Sequence, residues 1–369
     1  MTEKKKSSAT FIPPVFFMNI INAIQAFFSN VSKRMVPAPV WMMNNIENFW
    51  VSKGLYAAID LNIAEHINNG KCTLNQLAEA THTKPDPLFR LMRMLCAKEI
   101  FCLLDNGNYT LTSYSRVLLE GDGSIKYFLK SHLGKLHSEL FTELDYTMRT
   151  GINASQKLFN EDIFSHVEHT PEEQDLFIRG MSDGSELFAP VLLSSYSFSS
   201  FSHIIDIGGG HGSLLCNVLS KNKNPRATLF DSKHVIERAS ANIDSFDLKE
   251  RIEIVTGDFF MKVPEGGDLY ILKNILHDWD DEKCILILKN ILNAMKKDSK
   301  LLIIETIIKN DNNYSFGKMI DILMLLGTEN GRERTIDEFG KILGNSGFKI
   351  NKVIPTVAPF SLIECLKQK

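Results

Sequence analysis

Cysteine is scarce and scattered in this sequence. The six residues, Cys72, Cys96, Cys102, Cys216, Cys284 and Cys365, form no C-x-x-C pair and have no histidine cluster beside them. That argues against a structural zinc site or a disulfide framework, and it fits a reducing cytoplasm. Positive charge is not in excess either. The formal net charge is -3, which argues against a nucleic-acid binder, whose phosphate contacts need a basic surface. A membrane-spanning run is missing too. The greasiest stretch, Phe11 to Phe28, follows Lys4, Lys5 and Lys6 as the core of a signal peptide would. But Pro13, Pro14, Asn19, Asn22 and Gln25 interrupt it, no small-residue cleavage site follows, and the polar breaks make a span too costly. Phe16, Phe17, Ile20, Ile24, Phe27 and Phe28 fall near helical spacing. The expectation for residues 1–39 is therefore an amphipathic helical extension that packs on the body or on a second subunit. No internal repeat or low-complexity tract stands out.

What is present has the balance of a globular chain. A hydrophobic fraction of 44% and a charged fraction of 23% over 369 residues supply more than one core, so two domains are the natural expectation. Residues from about Val40 to Ile67 read as helical. Thr73 and Gln76 make a capping box before a short helix, and Leu88 to Leu95 is an amphipathic helix. Asp105-Asn-Gly-Asn108 between Phe101-Cys-Leu-Leu and Tyr109-Thr-Leu is a hairpin signal. Two helices and a hairpin over 40–112 make a winged-helix-like unit. Its second helix offers only Arg90, Arg93 and Lys98 as cations among many apolar residues, so packing or dimerisation is favoured over DNA. Residues 113–200 read as a helical linker and substrate region rich in Phe, Leu and Met.

Over 201–369 strands and helices alternate. The strand candidates are 203–207, 227–231, 252–256, 269–273, 301–306, 349–354 and 361–366, which predicts an α/β doubly wound, mostly parallel sheet with an antiparallel final pair. The first strand runs into Ile204-Ile-Asp-Ile-Gly-Gly-Gly-His-Gly-Ser213. Gly208, Gly210 and Gly212 let the backbone turn tightly and approach a ligand. The spacing is G-x-G-x-G, not the G-x-G-x-x-G of a dinucleotide fold, and Asp206 precedes it. An acid there suits a ligand with an ammonium group and no pyrophosphate, as S-adenosylmethionine is; the bland alternative is a plain turn. Asp231 ends the second strand at the spacing of a ribose-binding acid. Asp258 and Phe259 end the third, where a carboxylate and a ring would meet an adenine. His277 lies beyond the fourth strand. It is either a general base, with an ordinary pKa of about 6.5, or a cap on the next helix.

Leu272-Lys-Asn-Ile-Leu-His-Asp-Trp279, Ile303-Ile-Glu-Thr and Gly331-Arg-Glu-Arg-Thr335 together resemble the plant caffeate/flavonoid-type and the acetylserotonin O-methyltransferases, over about residues 40 to 367. The resemblance implies a Rossmann-like seven-stranded domain that binds S-adenosylmethionine, preceded by a winged-helix-like domain that forms an intertwined homodimer. It implies that His277 removes the proton of an acceptor hydroxyl, with Glu305 and Glu333 orienting it. It matches Gly208, Asp231, Asp258, Lys273 and Ser185 to cofactor contacts, and Phe177, Met181, Met324 and Thr328 to the lining of the acceptor pocket. Ser232-Lys233 stands where the family usually has Leu-Pro. The Met- and Phe-rich middle suits a flat aromatic acceptor, and the chemistry calls for no metal. A nitrogen or carbon acceptor, or a non-catalytic cofactor-binding regulator, are the rival readings.

Overall fold

A computed structural model describes residues 35–121, 123–236 and 239–368, together with Ile24 and Val31. The expected amphipathic helix before residue 35 lies outside this range apart from those two. The chain divides into two compact units. Of the described residues, those from Val31 to Leu187 form one and those from Phe188 to Gln368 belong to the other, so the division falls inside the helix Pro171–Ser195 and not at residue 200.

The first unit opens with the helix Ala38–Asp60. The sequence pattern runs on to Ile67, but Asn62 takes a left-handed backbone (φ 51) and a second helix, Ile63–Asn68, starts there. Asparagine tolerates that conformation better than most residues. Thr73 and Gln76 close the capping box that starts helix Leu74–Ala80. Helix Pro85–Ala97 buries Leu88, Met92 and Leu95, which recur at helical spacing. It packs on the first helix at Gly54, where an added Cβ would lie 2.2 Å from Met94 Cε. The strands β1 (Phe101–Leu103) and β2 (Tyr109–Leu111) pair antiparallel around the Asn-Gly turn. Ile59, Ile63, Leu77, Phe101 and Tyr109 complete this core. Val40, Met42, Met43, Ile46, Phe49 and Trp50 on the first helix stay exposed. Helices occupy most of 113–187.

The second unit is built on seven strands: β3 (His203–Ile207), β4 (Arg226–Asp231), β5 (Ile252–Thr256), β6 (Leu269–Lys273), β7 (Lys300–Glu305), β8 (Phe348–Pro355) and β9 (Ser361–Lys367). Their order is β5-β4-β3-β6-β7-β9-β8. The first five neighbours run parallel, and β9 runs antiparallel to both β7 and β8. Strands such as Leu269-Tyr-Ile-Leu-Lys273 are apolar throughout because both faces are covered, as a parallel sheet requires. One face packs Ile204, Leu229, Ile271 and Leu302 against Leu215 and Ile243. The other packs Ile205, Tyr270, Leu272 and Ile303 against Ile287 and Phe339. Among the described residues, no helix is long and apolar enough to cross a membrane.

Candidate active site

β3 pairs in parallel with both β4 and β6, so the strand order reverses beside it. Ligands of open α/β sheets bind at that reversal, outside the carboxyl ends of the strands. The glycine loop leaves β3 there. Gly208 has φ +69, and an added Cβ would lie 2.4 Å from Ile275 Cδ1. Gly210 has φ +59 with nothing within 4 Å of an added Cβ, so backbone conformation and not crowding favours glycine. The Gly210 N–H donates to Asp231 Oδ2 at 2.8 Å and the Ser232 N–H donates to Oδ1 at 2.7 Å. A carboxylate has about four acceptor positions, so Asp231 retains capacity for further donors. Asp258 lies exposed two residues past β5 and accepts the Phe260 N–H on Oδ1 at 2.8 Å. Phe259 packs on Phe260 and Trp279, with ring centroids 4.8 and 6.2 Å away.

Asp206 is 1% exposed, and neither carboxylate oxygen has a hydrogen-bond partner among the described residues. An added Cβ on Gly209 would fall 2.6 Å from its Oδ2, which puts the carboxylate directly beneath the loop. Burial pushes Asp206 up to about 7, the Lys273 ammonium pulls it back, and Asp231 pushes it up further. Burial in turn lowers Lys273, against Asp206 and Glu305, which raise it. A buried carboxylate with unmet hydrogen-bonding capacity is costly, and a cationic ligand group would relieve it. The orphaned acid, the spare capacity of Asp231 and the open side of Gly210 fit S-adenosylmethionine.

His277 sits in a single 3-10 turn, Leu276–Asp278, just beyond β6. The chain leaves β6 through Asn274, whose φ is 53. The helix cap is a different residue: Asp280 starts helix Asp281–Ala294 by accepting the Lys283 N–H at 2.8 Å. His277 Nδ1 lies 2.9 Å from Glu333 Oε1. A carboxylate accepts only, so Nδ1 carries the hydrogen and Nε2 is the basic nitrogen. Asp278 Oδ1 lies 3.4 Å from Nε2. Glu305 acts differently. Its Oε1 accepts the N–H groups of Ile275 and Leu276, each at 2.9 Å, while Oε2 is 3.9 Å from His277 Nδ1. It fixes the backbone that carries the histidine and contributes negative charge beside the ring. Burial works to lower His277, but Asp278, Glu305 and Glu333 outweigh it and hold the imidazole at about 10. Asp278 is pushed by burial up to about 7, with His277 opposing. Glu305 is raised by burial, again against His277. The donor atoms of His277, Glu305 and Glu333 lie within 4.8 Å of one another, a spacing their mutual hydrogen bonding and charge pairing already explain.

Met324 is half-buried on helix Phe316–Gly327. Thr328 follows it, buried, with its hydroxyl donating to Met324 O and accepting the Gly331 N–H, both at 2.8 Å. These residues share the second unit with His277 and the loop. Phe177 and Met181 lie half-buried on the part of helix Pro171–Ser195 that belongs to the first unit, as does Ser185. Phe177 meets Phe164 edge-on at 6.2 Å.

Three residues escaped the sequence reading. Asp278 faces His277 Nε2, as its place next in the chain did not reveal. Trp279 packs on Phe259 and Phe260, and its buried Nε1–H has no partner among the described residues. Arg334 is fully buried, whereas Arg332 two residues away is exposed. Sequence offers no way to tell those two arginines apart.

A family model for the O-methyltransferase domain matches residues 141–349, and one for the O-methyltransferase dimerisation domain matches 43–121. The chain is 32% identical over 332 residues to the phenazine O-methyltransferase PhzM of Lysobacter antibioticus, covering 89% of this chain and 96% of that one. Among solved structures it resembles human N-acetylserotonin methyltransferase in complex with its cofactor, with TM-score 0.83, 25% identity, and coverage of 90% and 99%. It also resembles the N,N-8-amino-8-demethyl-D-riboflavin dimethyltransferase of Streptomyces davawensis, with TM-score 0.78, 28% identity, and coverage of 90% and 100%.

Proposed function

The chain belongs to the S-adenosylmethionine-dependent O-methyltransferases, and on that premise we propose that it methylates the hydroxyl of a small aromatic acceptor with His277 as general base. The observation that carries the reading is the His277–Glu333 hydrogen bond of 2.9 Å, which fixes the tautomer and leaves Nε2 as the basic nitrogen. Asp231 would hold the ribose, Asp258 and Phe259 the adenine, and Gly208 and Gly210 the backbone approach, with Asp206 and Lys273 beneath the loop. Within the second unit, Met324 and Thr328 would line the acceptor pocket. Bound there, the cofactor supplies an electrophilic methyl group on a positive sulfonium.

The chain's own work is to orient and deprotonate. A phenol titrates near 10, so at neutral pH its proton must leave as the oxygen attacks. His277 Nε2 takes that proton, and Glu333 and Asp278 stabilise the imidazolium that results. The neutral imidazole is the form that accepts: the surrounding carboxylates hold His277 up at about 10 in the ligand-free site, and the positive charge of a bound sulfonium lowers it toward the working pH. Positioning the oxygen against the methyl group supplies much of the remaining rate. His277→Ala tests the reading with radiolabelled cofactor and a panel of hydroxyaromatics. Turnover should fall about a hundred- to ten-thousand-fold with cofactor affinity held, and alkaline pH should partly restore it. Near-wild-type turnover at neutral pH would mean that His277 does not act as the base.

The riboflavin relative, whose name places the methyl groups on an amino nitrogen, favours one second reading: an amine acceptor. A neutral amine attacks through its lone pair before losing a proton, so His277→Ala would then retain most of its turnover. The exposed Met42, Met43, Ile46, Phe49 and Trp50, with the dimerisation-domain match over 43–121, support a homodimer built through the first unit. The cations of helix Pro85–Ala97 favour a regulator poorly: Arg93 lies over the Phe89 ring and Lys98, just after it, pairs with Glu47.

A further inference from the structure

We infer that Arg334 is a positioning residue for the reaction, clamping the turn that aims His277 Nε2. The inference rests on the reading of His277 as the base. Arg334 is the largest fully buried side chain among the described residues. Its guanidinium donates from Nη1 to Leu276 O at 2.6 Å and from Nη2 to Trp279 O at 2.7 Å. Those carbonyls flank His277 and Asp278. From Nε and Nη2 it also donates to Asp281 Oδ1, at 3.0 and 2.8 Å, which balances its charge.

The rest of the segment closes on the same turn. The Arg332 N–H donates to His277 O at 2.8 Å. An added Cβ on Gly331 would fall 2.5 Å from His277 O and 2.9 Å from the Asp278 carbonyl carbon, so glycine is what lets the two backbones meet. The Cys284 Sγ lies 3.2 Å from Leu276 O. Glu305 therefore holds the N–H side of the turn and Arg334 the carbonyl side, while Glu333, between Arg332 and Arg334, holds the imidazole. Guanidinium is suited to this place because its donors form a rigid planar fork, whereas an ammonium is a compact point charge. A buried lysine could not span both carbonyls and Asp281 at once. A misplacement of about 1 Å in a catalytic group costs on the order of a hundredfold in rate.

The test is a double-mutant cycle of Arg334→Lys with His277→Ala, read as single-turnover rate together with cofactor affinity and acceptor KM. Arg334→Lys alone should lower kcat about 10- to 100-fold, with both binding constants within about twofold. In the His277→Ala background the same change should cost less than about twofold, because the group it aims is gone. An unchanged kcat, or an equal loss in both backgrounds, overturns the proposal. Failure of the base reading looks different: His277→Ala alone would keep its turnover whatever Arg334 does. If Arg334→Lys does not fold, Asp281→Ala removes only the half-exposed carboxylate partner, and its cycle with His277→Ala is read by the same criteria with a smaller loss.

Discussion

Replacing Glu333 with glutamine isolates the electrostatic contribution to the proposed base, the charge state of His277. The amide oxygen of the substituted side chain can still accept the Nδ1–H, so geometry is kept while one of the three negative charges around the ring is removed. A unit charge at the 2.9 Å of this contact, in an effective dielectric of about 20, gives a ceiling of about 6 kcal/mol. Experimentally, hydrogen bonds to charged groups contribute about 1.5–3 kcal/mol and neutral ones about 0.5–1.5. The difference, about 1–2 kcal/mol, corresponds to about one pKa unit at about 1.4 kcal/mol each. His277 should therefore titrate about one unit lower in Glu333→Gln than in the parent, where the carboxylates hold it at about 10.

The same shift has a sign in stability. The folded-state pKa of His277 is raised above its unfolded value of 6.5, so its contribution is fully present below pH 6.5 and is lost as pH rises toward 10. Asp278 and Glu305 are raised as well, so all three groups make the ligand-free protein less stable as pH rises. Titration of 13C-labelled histidine by NMR, with the His277 resonance identified by its loss in His277→Ala, measures the shift directly. A His277 that titrates near 6.5 in the parent, or that does not move in Glu333→Gln, refutes the electrostatic argument.

Three further outcomes follow from the site and the surface. Asp231→Ala should weaken cofactor binding about 10- to 150-fold by calorimetry, the equivalent of one hydrogen bond to a charged group; unchanged affinity would remove Asp231 from the ribose contact. Asp206→Asn should raise the denaturation midpoint of the ligand-free protein at alkaline pH while weakening cofactor binding. Its folded pKa of about 7 against an unfolded 3.8 means that its charge costs stability increasingly as pH rises through that window, by a few kcal/mol at most. A less stable variant with intact affinity contradicts that sign. Phe49→Glu combined with Trp50→Glu should yield a monomer in light scattering, since both side chains are 60% exposed on an apolar helix face; a full-length dimer that survives the pair of charges places its interface elsewhere.

Much of the fold was legible because periodicity and punctuation agree. The strand pattern of the second unit appears within a residue or so at each end, since continuous apolar runs between glycine and asparagine breaks leave little choice in a parallel sheet. The Thr73 capping box and the Asn-Gly hairpin are local devices and appear as read. The break at Asn62 was not legible, because its left-handed backbone interrupts an otherwise helical pattern. The division at residues 187–188 inside one long helix was hidden as well, since local propensity carries no information about which core a helix turn joins.

The site divides along the same line. Glu305 and Glu333 were both expected to orient His277, and both lie beside it, yet only Glu333 holds the ring by a hydrogen bond. Glu305 accepts two backbone N–H groups, a role that depends on where the turn after β6 comes to rest against β7. Arg334 is invisible for the same reason: beside Asp281 it holds backbone carbonyls, and carbonyls have no sequence signature. What the structure adds is a pattern of conflict. Asp206, Asp278 and Glu305, in β3, just after β6 and at the end of β7, are all pushed up by burial around one crevice. A chain selected for stability alone would replace such carboxylates, since a buried charge without a full complement of partners is among the costliest groups a fold can hold. Their concentration at the topological switch point, with His277 and a lysine as the cations among them, leaves the crevice short of positive charge. A sulfonium-bearing ligand with an ammonium group is a match for that deficit, and the positive charge it brings offsets the carboxylates that otherwise hold His277 protonated. The local conflicts and the proposed chemistry thus share one cause, which is where departures from stability-optimised design are expected to fall.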